Sequence, residues 1–335
     1  MASLQPVVTH PQANAQSTSA GETIHVLREH EGKLYAGYGD QKQNTGPIDI
    51  NPFDMASESF DGVVHTAMTE AILEYRSAWG LVAPHADPRG TDPDYSDLVS
   101  GSWASRNPFA GLHVYDLAGP FTVGGVTRSL LTGSKNNGAG TGPARCWMTG
   151  VSAGHRYHLA FVYDGELYTQ SYRPTSGGSS YKYSKWDNTL QKWTQPALAV
   201  DLLPPADTPR PSYEDDYVIG CRPVIFDDEV WYLTHCSGLS STSNPDLTGP
   251  GRLLHFDGLS VSGARPGERF WDICVDAGTL YLLRDDGKVL SLGTTGSWTL
   301  VIDTPLTAAR SICIADGYLL AGATDSGLYK SSIPV

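Results

Sequence analysis

The chain repeats one local pattern: a short apolar run, a tight polar turn and a second apolar run. Phe161-Val162-Tyr163-Asp164-Gly165-Glu166-Leu167-Tyr168 is one copy. Val275–Tyr281 turns at Ala277-Gly278, and Ile314–Leu320 turns at Asp316-Gly317. His30–Tyr35 turns at Glu31-Gly32, and Val224–Tyr232 has acidic residues in place of the glycine. Asp-Gly suits the positive φ values of tight hairpin turns, and β-branched or aromatic residues flank it, so each copy predicts a β-hairpin. The last three turns are about 50 and then about 40 residues apart, the period of one four-stranded blade.

Weaker strands follow each hairpin. Val289-Leu290-Ser291-Leu292 and Trp298–Ile302 complete the 275–281 copy, while Tyr181–Trp186 and Gln191–Trp193 complete the 161–168 copy. No long apolar stripe of helical period competes; Met68–Tyr75 fits a short helix or a strand. Repeated sheets remove their edges most simply by radial closure. The expectation is therefore an all-β chain folded as a single β-propeller over residues 22–335. Six blades fit best, with five or seven also compatible, because Val63–Leu131 must hold one or two degenerate blades. Its clearest strands are Leu112–Tyr115 and Val126–Leu131. Ser311–Ser331 and Ile24–Tyr38 are the natural pair to close the ring. Residues 1–21 are rich in Ser, Thr, Gln, Asn and Ala, with Leu4, Val7 and Val8 as the only sizeable aliphatics. They read as an extended N-terminal arm that attaches to other subunits.

Composition narrows the function classes. A net charge of −13 argues against a duplex nucleic-acid binder, which needs clustered Lys and Arg. No stretch approaches the roughly 20 apolar residues of a membrane span. Met1–Gly21 has neither the basic start nor the apolar core of a signal peptide. Cys146, Cys221, Cys236, Cys274 and Cys313 are scattered, without C-x-x-C spacing. Cys274 and Cys313 sit in apolar strand patterns; Cys221 and Cys236 flank one hairpin and could face each other across it. Five reduced thiols fit synthesis in a reducing compartment. The dispersed histidines form no metal-ligand spacing, and Gly133–Gly142 lacks the Gly-Lys-Ser/Thr ending of a phosphate loop. The chain is thus expected to carry no metal and no cofactor.

The first hairpin runs into Leu34-Tyr35-Ala36-Gly37-Tyr38-Gly39-Asp40 and then Asn44-Thr45-Gly46-Pro47-Ile48-Asp49-Ile50. This block resembles one found near the first blade of β-propeller minor tail proteins of actinobacteriophages. The resemblance covers Leu34 to Ile50 and implies a structural virion protein at the tail tip, made in the host cytoplasm. It further implies other tail-tip proteins as partners, an oligomer in the virion, and contact with host cell-surface glycan during adsorption. Read from the residues alone, the block is equally a glycine-rich bulge and turn stabilising one blade.

Two groups could bind a glycan. Arg156, Arg222, Arg269 and Arg310 each precede the turn of a hairpin by a similar distance, so they could form a ring on one propeller face. Such a ring would grip carboxylate or phosphate groups; alternatively, each Arg pairs with an acid of the adjacent blade. Tyr172, Tyr181, Tyr183, Trp186 and Trp193 form an aromatic cluster that could stack on sugar rings or pack between sheets. Propellers also host glycoside hydrolases, which need paired carboxylates. Asp40, Asp49, Glu214, Asp215 and Asp216 are available, and Asp325–Tyr329 resembles part of a sialidase Asp-box, a structural turn. No catalytic order can be assembled from them, so a non-enzymatic protein is expected, with a glycan hydrolase or a cellular sugar-binding propeller as the alternatives.

Overall fold

The computed structural model describes residues 2–30, 32–40, 48–63, 65–67, 121–123, 126–128, 156–163, 166–175, 178–187, 192–194, 218–236, 249–258, 261–294 and 296–335. Their strands run in chain order from β1 (Leu4–Thr9) to β24 (Gly327–Ser331). Two short helical turns, α1 (Pro11–Asn14) and α2 (Ser19–Glu22), interrupt them.

Among the described residues, five four-stranded antiparallel sheets form. The first holds β2 (Val26–His30), β3 (Lys33–Gly37), β5 (Phe53–Asp54) and β6 (Ser59–Phe60). Between them in sequence, β4 (Ile48–Ile50) pairs with β7 (His65–Ala67), and β8 (Phe121–Val123) pairs with β9 (Val126–Arg128). A second sheet runs β10 (Arg156–Tyr163), β11 (Glu166–Thr175), β12 (Gly178–Asp187), β13 (Lys192–Thr194). The third is β14 (Val218–Phe226), β15 (Glu229–Cys236), β16 (Arg252–Phe256), β17 (Val261–Ala264). The fourth is β18 (Phe270–Asp276), β19 (Thr279–Arg284), β20 (Val289–Gly293), β21 (Trp298–Ile302). In the last, β22 (Ala309–Ala315), β23 (Tyr318–Ala323) and β24 are completed by β1. The first strands lie against one another in succession: β10 on β14, β14 on β18, β18 on β22, and β22 on β2. That is a propeller arrangement.

The hairpins form where the sequence predicts them, for a visible reason. Asp316 and Gly317 have φ of 51° and 75°, and Ala277 and Gly278 have 44° and 74°. Two successive positive φ values give the turn whose twist matches the flanking strands. Asp227 and Asp228 adopt 51° and 59° without glycine, because Asp tolerates the left-handed region better than most residues. Four of the five hairpins also shift register near their starts, at Tyr157/Leu159, Cys221/Val224, Phe270/Asp272 and Ala309/Ser311. Such bulges bend a strand and increase its twist.

The core lies in layers between neighbouring blades. Phe226, Leu233 and Leu253 of the third sheet pack with Phe270, Ile273 and Leu282 of the fourth. Leu283, Val289 and Ile302 pack with Ile312, Leu319 and Ala321 of the last sheet. Ile24, Leu27 and Leu34 pack with Cys313, Leu320 and Leu328. The last layer joins the two ends of the chain.

The N-terminal segment departs from expectation. It is no extended arm separate from the propeller, because β1 pairs antiparallel with β24 from Leu4↔Ser331 to Thr9↔Gly327. Three strands from the C-terminus leave an open edge at β24, and an otherwise polar segment is held there by main-chain pairing. Its few aliphatics suffice because they join cores already built: Val7 and Val8 pack on the layer between the first and last blades, and Ala2 and Leu4 on the neighbouring one. The closing strand is thus β1. Ile24–Tyr38 does meet the last blade, with Ile24 N–H donating to Ala323 O at 3.1 Å. Six blades are not established: much of Val63–Leu131, including Leu112–Tyr115, and most of residues 68–155 lie outside the described residues.

Candidate functional site

Polar side chains converge where the inner strands meet. Arg222 lies in the bulged part of β14 with a φ of 53° and is only 6% exposed. Its Nη1 lies 3.1 Å from Asp272 Oδ1 and also donates to the Trp271 carbonyl and, at 3.4 Å, to Arg310 O. Nη2 donates to His25 O at 2.6 Å. One guanidinium thereby touches β18, β22 and the residue leading into β2, besides its own sheet. Only a position near the axis of the ring can reach four sheets at once.

Asp272 extends the same network. Its Oδ1 accepts from Ile273 N–H and its Oδ2 from Ile312 N–H of β22, each at 2.8 Å. Burial pushes its carboxyl upward, against the pull of the Arg222 charge and of the two amides. Ser311, equally far from its hairpin turn, makes the corresponding tie onward, with Oγ donating to Ile24 O at 3.0 Å. Register from the turns therefore sets Arg222 level with Asp272 and Ser311. Sequence reasoning singled out neither partner, although a polar residue inside Phe270–Asp276 or Ala309–Ala315 was the available signal.

The four arginines do not occupy one level of the repeat. Arg156 opens β10, opposite Tyr172, and Arg269 directly precedes β18, with its carbonyl accepting from Asp285 N–H at 3.0 Å. Arg310 is the second residue of β22; its guanidinium lies 4.1 Å over the Trp271 ring and donates to Thr307 O and Ala309 O at 2.8 and 2.7 Å. Burial lowers its pKa. All four stand towards the start of an inner strand, away from the turn. For Arg222, the reading that an arginine stitches adjacent blades is the one that fits the geometry.

The 34–50 block is built into the junction of the first blade with the N-terminal segment. Tyr38 is 1% exposed and donates its hydroxyl to Asp49 O at 2.7 Å; burial raises its pKa. Asp40 is 6% exposed and accepts from Thr18 Oγ1 at 2.9 Å. Ile48 and Ile50 are buried in the same core layer. Residues 41–47 lie outside the described residues, as do Glu214, Asp215 and Asp216.

The aromatic cluster falls on β11, β12 and β13. Tyr181 pairs with Tyr172, Tyr183 with Gln170 and Trp186 with Trp193. Asp325–Tyr329 runs from a turn into β24: Asp325 Oδ1 accepts from Gly327 N–H at 3.0 Å and Oδ2 from Tyr329 Oη at 2.9 Å. Cys221 pairs with Leu233 and Cys236 with Val218, so they do not face each other across their hairpin. Cys274 and Cys313 are buried free thiols, and Cys146 lies outside the described residues.

No protein-family model and no curated protein matches this chain. Among solved structures it is similar to virginiamycin B lyase from Staphylococcus aureus, at 10% identity and a TM-score of 0.52, covering 99% of this chain and 100% of that one. Extracellular domains 1–2 of Drosophila semaphorin 1a match at 9% identity and a TM-score of 0.44, covering 97% and 88%. A putative glycoside hydrolase from Parabacteroides distasonis matches at 9% and 0.36, covering 99% and 97%. The first likeness supports the propeller fold; at these identities none carries an activity to this chain.

Proposed function

We propose that the chain is a non-enzymatic structural propeller of a phage tail tip, scaffolding neighbouring tip proteins and presenting a surface to host cell-wall glycan. The observation that carries the scaffold reading is Arg222. Its buried guanidinium is spent on Asp272 and three carbonyls outside its own sheet, a use that stiffens the ring. The tail-tip setting rests on the resemblance of Leu34–Ile50 to actinobacteriophage minor tail proteins. In this reading the protein is located in the virion, its partners are other tip proteins, and it needs no cofactor.

Imaging purified phage particles with an antibody against the chain tests the proposal, alongside a pull-down of host cell-wall fragments and a reducing-sugar assay on the same fragments. Label at the tail tip, with retention of fragments and no release of sugar, is expected. Absence from particles overturns the tail-tip assignment, and sugar release overturns the non-enzymatic one.

A further inference from the structure

His10 stands where the closing strand leaves the last blade and meets the first. Its backbone N–H donates to Ser326 O at 2.8 Å, extending the β1–β24 pairing by one bond. Its ring packs at 5.0 Å from the Tyr38 ring and 4.8 Å from the Phe60 ring, and the residue is 1% exposed. Nδ1 accepts from Ala13 N–H at 3.1 Å, so His10 is the N-cap of α1. An acceptor at Nδ1 requires the neutral ring with its hydrogen on Nε2. That Nε2 is buried with no hydrogen-bond partner.

The N-cap contact of this ring depends on its being uncharged. A proton added to Nδ1 would point at the Ala13 N–H, donor against donor, and would leave a full charge buried away from water with no acceptor at Nε2. The titratable groups on the surrounding elements are already engaged. The Tyr38 hydroxyl donates to Asp49 O. His25 Nε2 bonds Ala20 O and Gly39 O, and Asp40 accepts from Thr18. On the first blade's outer strand side, Asp61 is paired with Lys33. Asp325, beside the Ser326 carbonyl, is held by Gly327 N–H and Tyr329 Oη. Burial accordingly lowers the His10 pKa from 6.5 to about 4.

We propose that His10 is an acid-sensitive latch on the ring: its protonation releases the N-terminal strand from β24 and opens the edge Gly327–Ser331. The sign follows from the pKa values. A base whose pKa is depressed when closed favours the closed state above pH 6.5, and loses that preference as pH falls towards 4. The equilibrium constant for opening therefore rises on the order of a hundredfold between pH 7 and pH 4.

Hydrogen exchange of the full chain tests this, with rates corrected for the intrinsic effect of pH. Peptides covering 4–9 and 327–331 should lose protection together as the pH falls from 7 to 4, while 270–284 stays protected. His10→Asn keeps an N-capping acceptor and cannot titrate in this range, so the same peptides should stay protected to lower pH. Unchanged wild-type protection down to pH 4 would overturn the latch, and so would an Asn variant opening at the same pH as wild type. Should the Asn variant be loose already at neutral pH, the NMR titration of the wild-type His10 ring decides. Opening that tracks this titration supports the latch; a ring titrating near 6.5, or opening that does not follow it, refutes it.

Discussion

Arg222 and Asp272 meet at 3.1 Å between the third and fourth blades, with side chains 7% and 4% exposed. Removing one partner of a buried pair strands the other charge away from water, which costs about 3–5 kcal/mol. Asp272→Ala should lower stability by that amount, since it also frees the Ile312 amide. Urea unfolding measures it; a loss below about 1 kcal/mol would mean that water or another group reaches Arg222.

The role of Leu4–Thr9 makes a second prediction. Deleting residues 2–9 strips the outer strand from the last blade and leaves the edge of β24 open, an invitation to pair with other chains. The truncated protein should melt at lower temperature and self-associate in gel filtration. A monomer with an unchanged melting temperature would show that the strand is dispensable.

Two glycines with left-handed backbone separate turn chemistry from close packing. Gly287 has a φ of 84°, and a Cβ there would lie 2.5 Å from the Leu306 carbonyl oxygen. Gly317 has a φ of 75° with nothing within 4 Å. Gly287→Ala should therefore cost more than the about 1–3 kcal/mol of backbone strain alone. Gly317→Asn should cost less than about 1 kcal/mol, because Asn tolerates this conformation. Equal effects in thermal melts would contradict the packing at Gly287.

Cys274 and Cys313 supply a prediction about reactivity. Burial raises both thiols, Cys313 to about 11, so neither carries appreciable thiolate near pH 8. Alkylation of the native protein at that pH, mapped by peptide mass, should spare both and modify them once the chain is unfolded. Rapid native labelling of either would place it at an accessible surface.

How far the sequence reveals this molecule depends on the range of the interactions involved. Hairpins such as Ile314–Leu320 are legible because the turn and both strands lie within a few residues. Leu253–Phe256 followed by Asp257-Gly258 carries the same signal and forms β16, yet it passes unnoticed beside stronger copies. The strand Leu4–Thr9 looks like a polar tail because its partner lies at the far end of the chain. Main-chain pairing asks little of side-chain composition. The arginines illustrate the same limit: a roughly similar spacing suggested one ring, but Arg222 stands level with Asp272 and Ser311, one residue nearer its turn than Arg310.

The chain closes its own ring through its N-terminal strand. Val8 and Leu328 are directly paired across β1 and β24, and paired antiparallel residues lie within the Cα separation that a disulfide spans. In Val8→Cys/Leu328→Cys, mild oxidation followed by non-reducing mass spectrometry and peptide mapping reads the closure directly. One disulfide joining the two introduced cysteines within a single monomeric chain is expected. Free thiols at both positions, or a dimer linked through them, would contradict it.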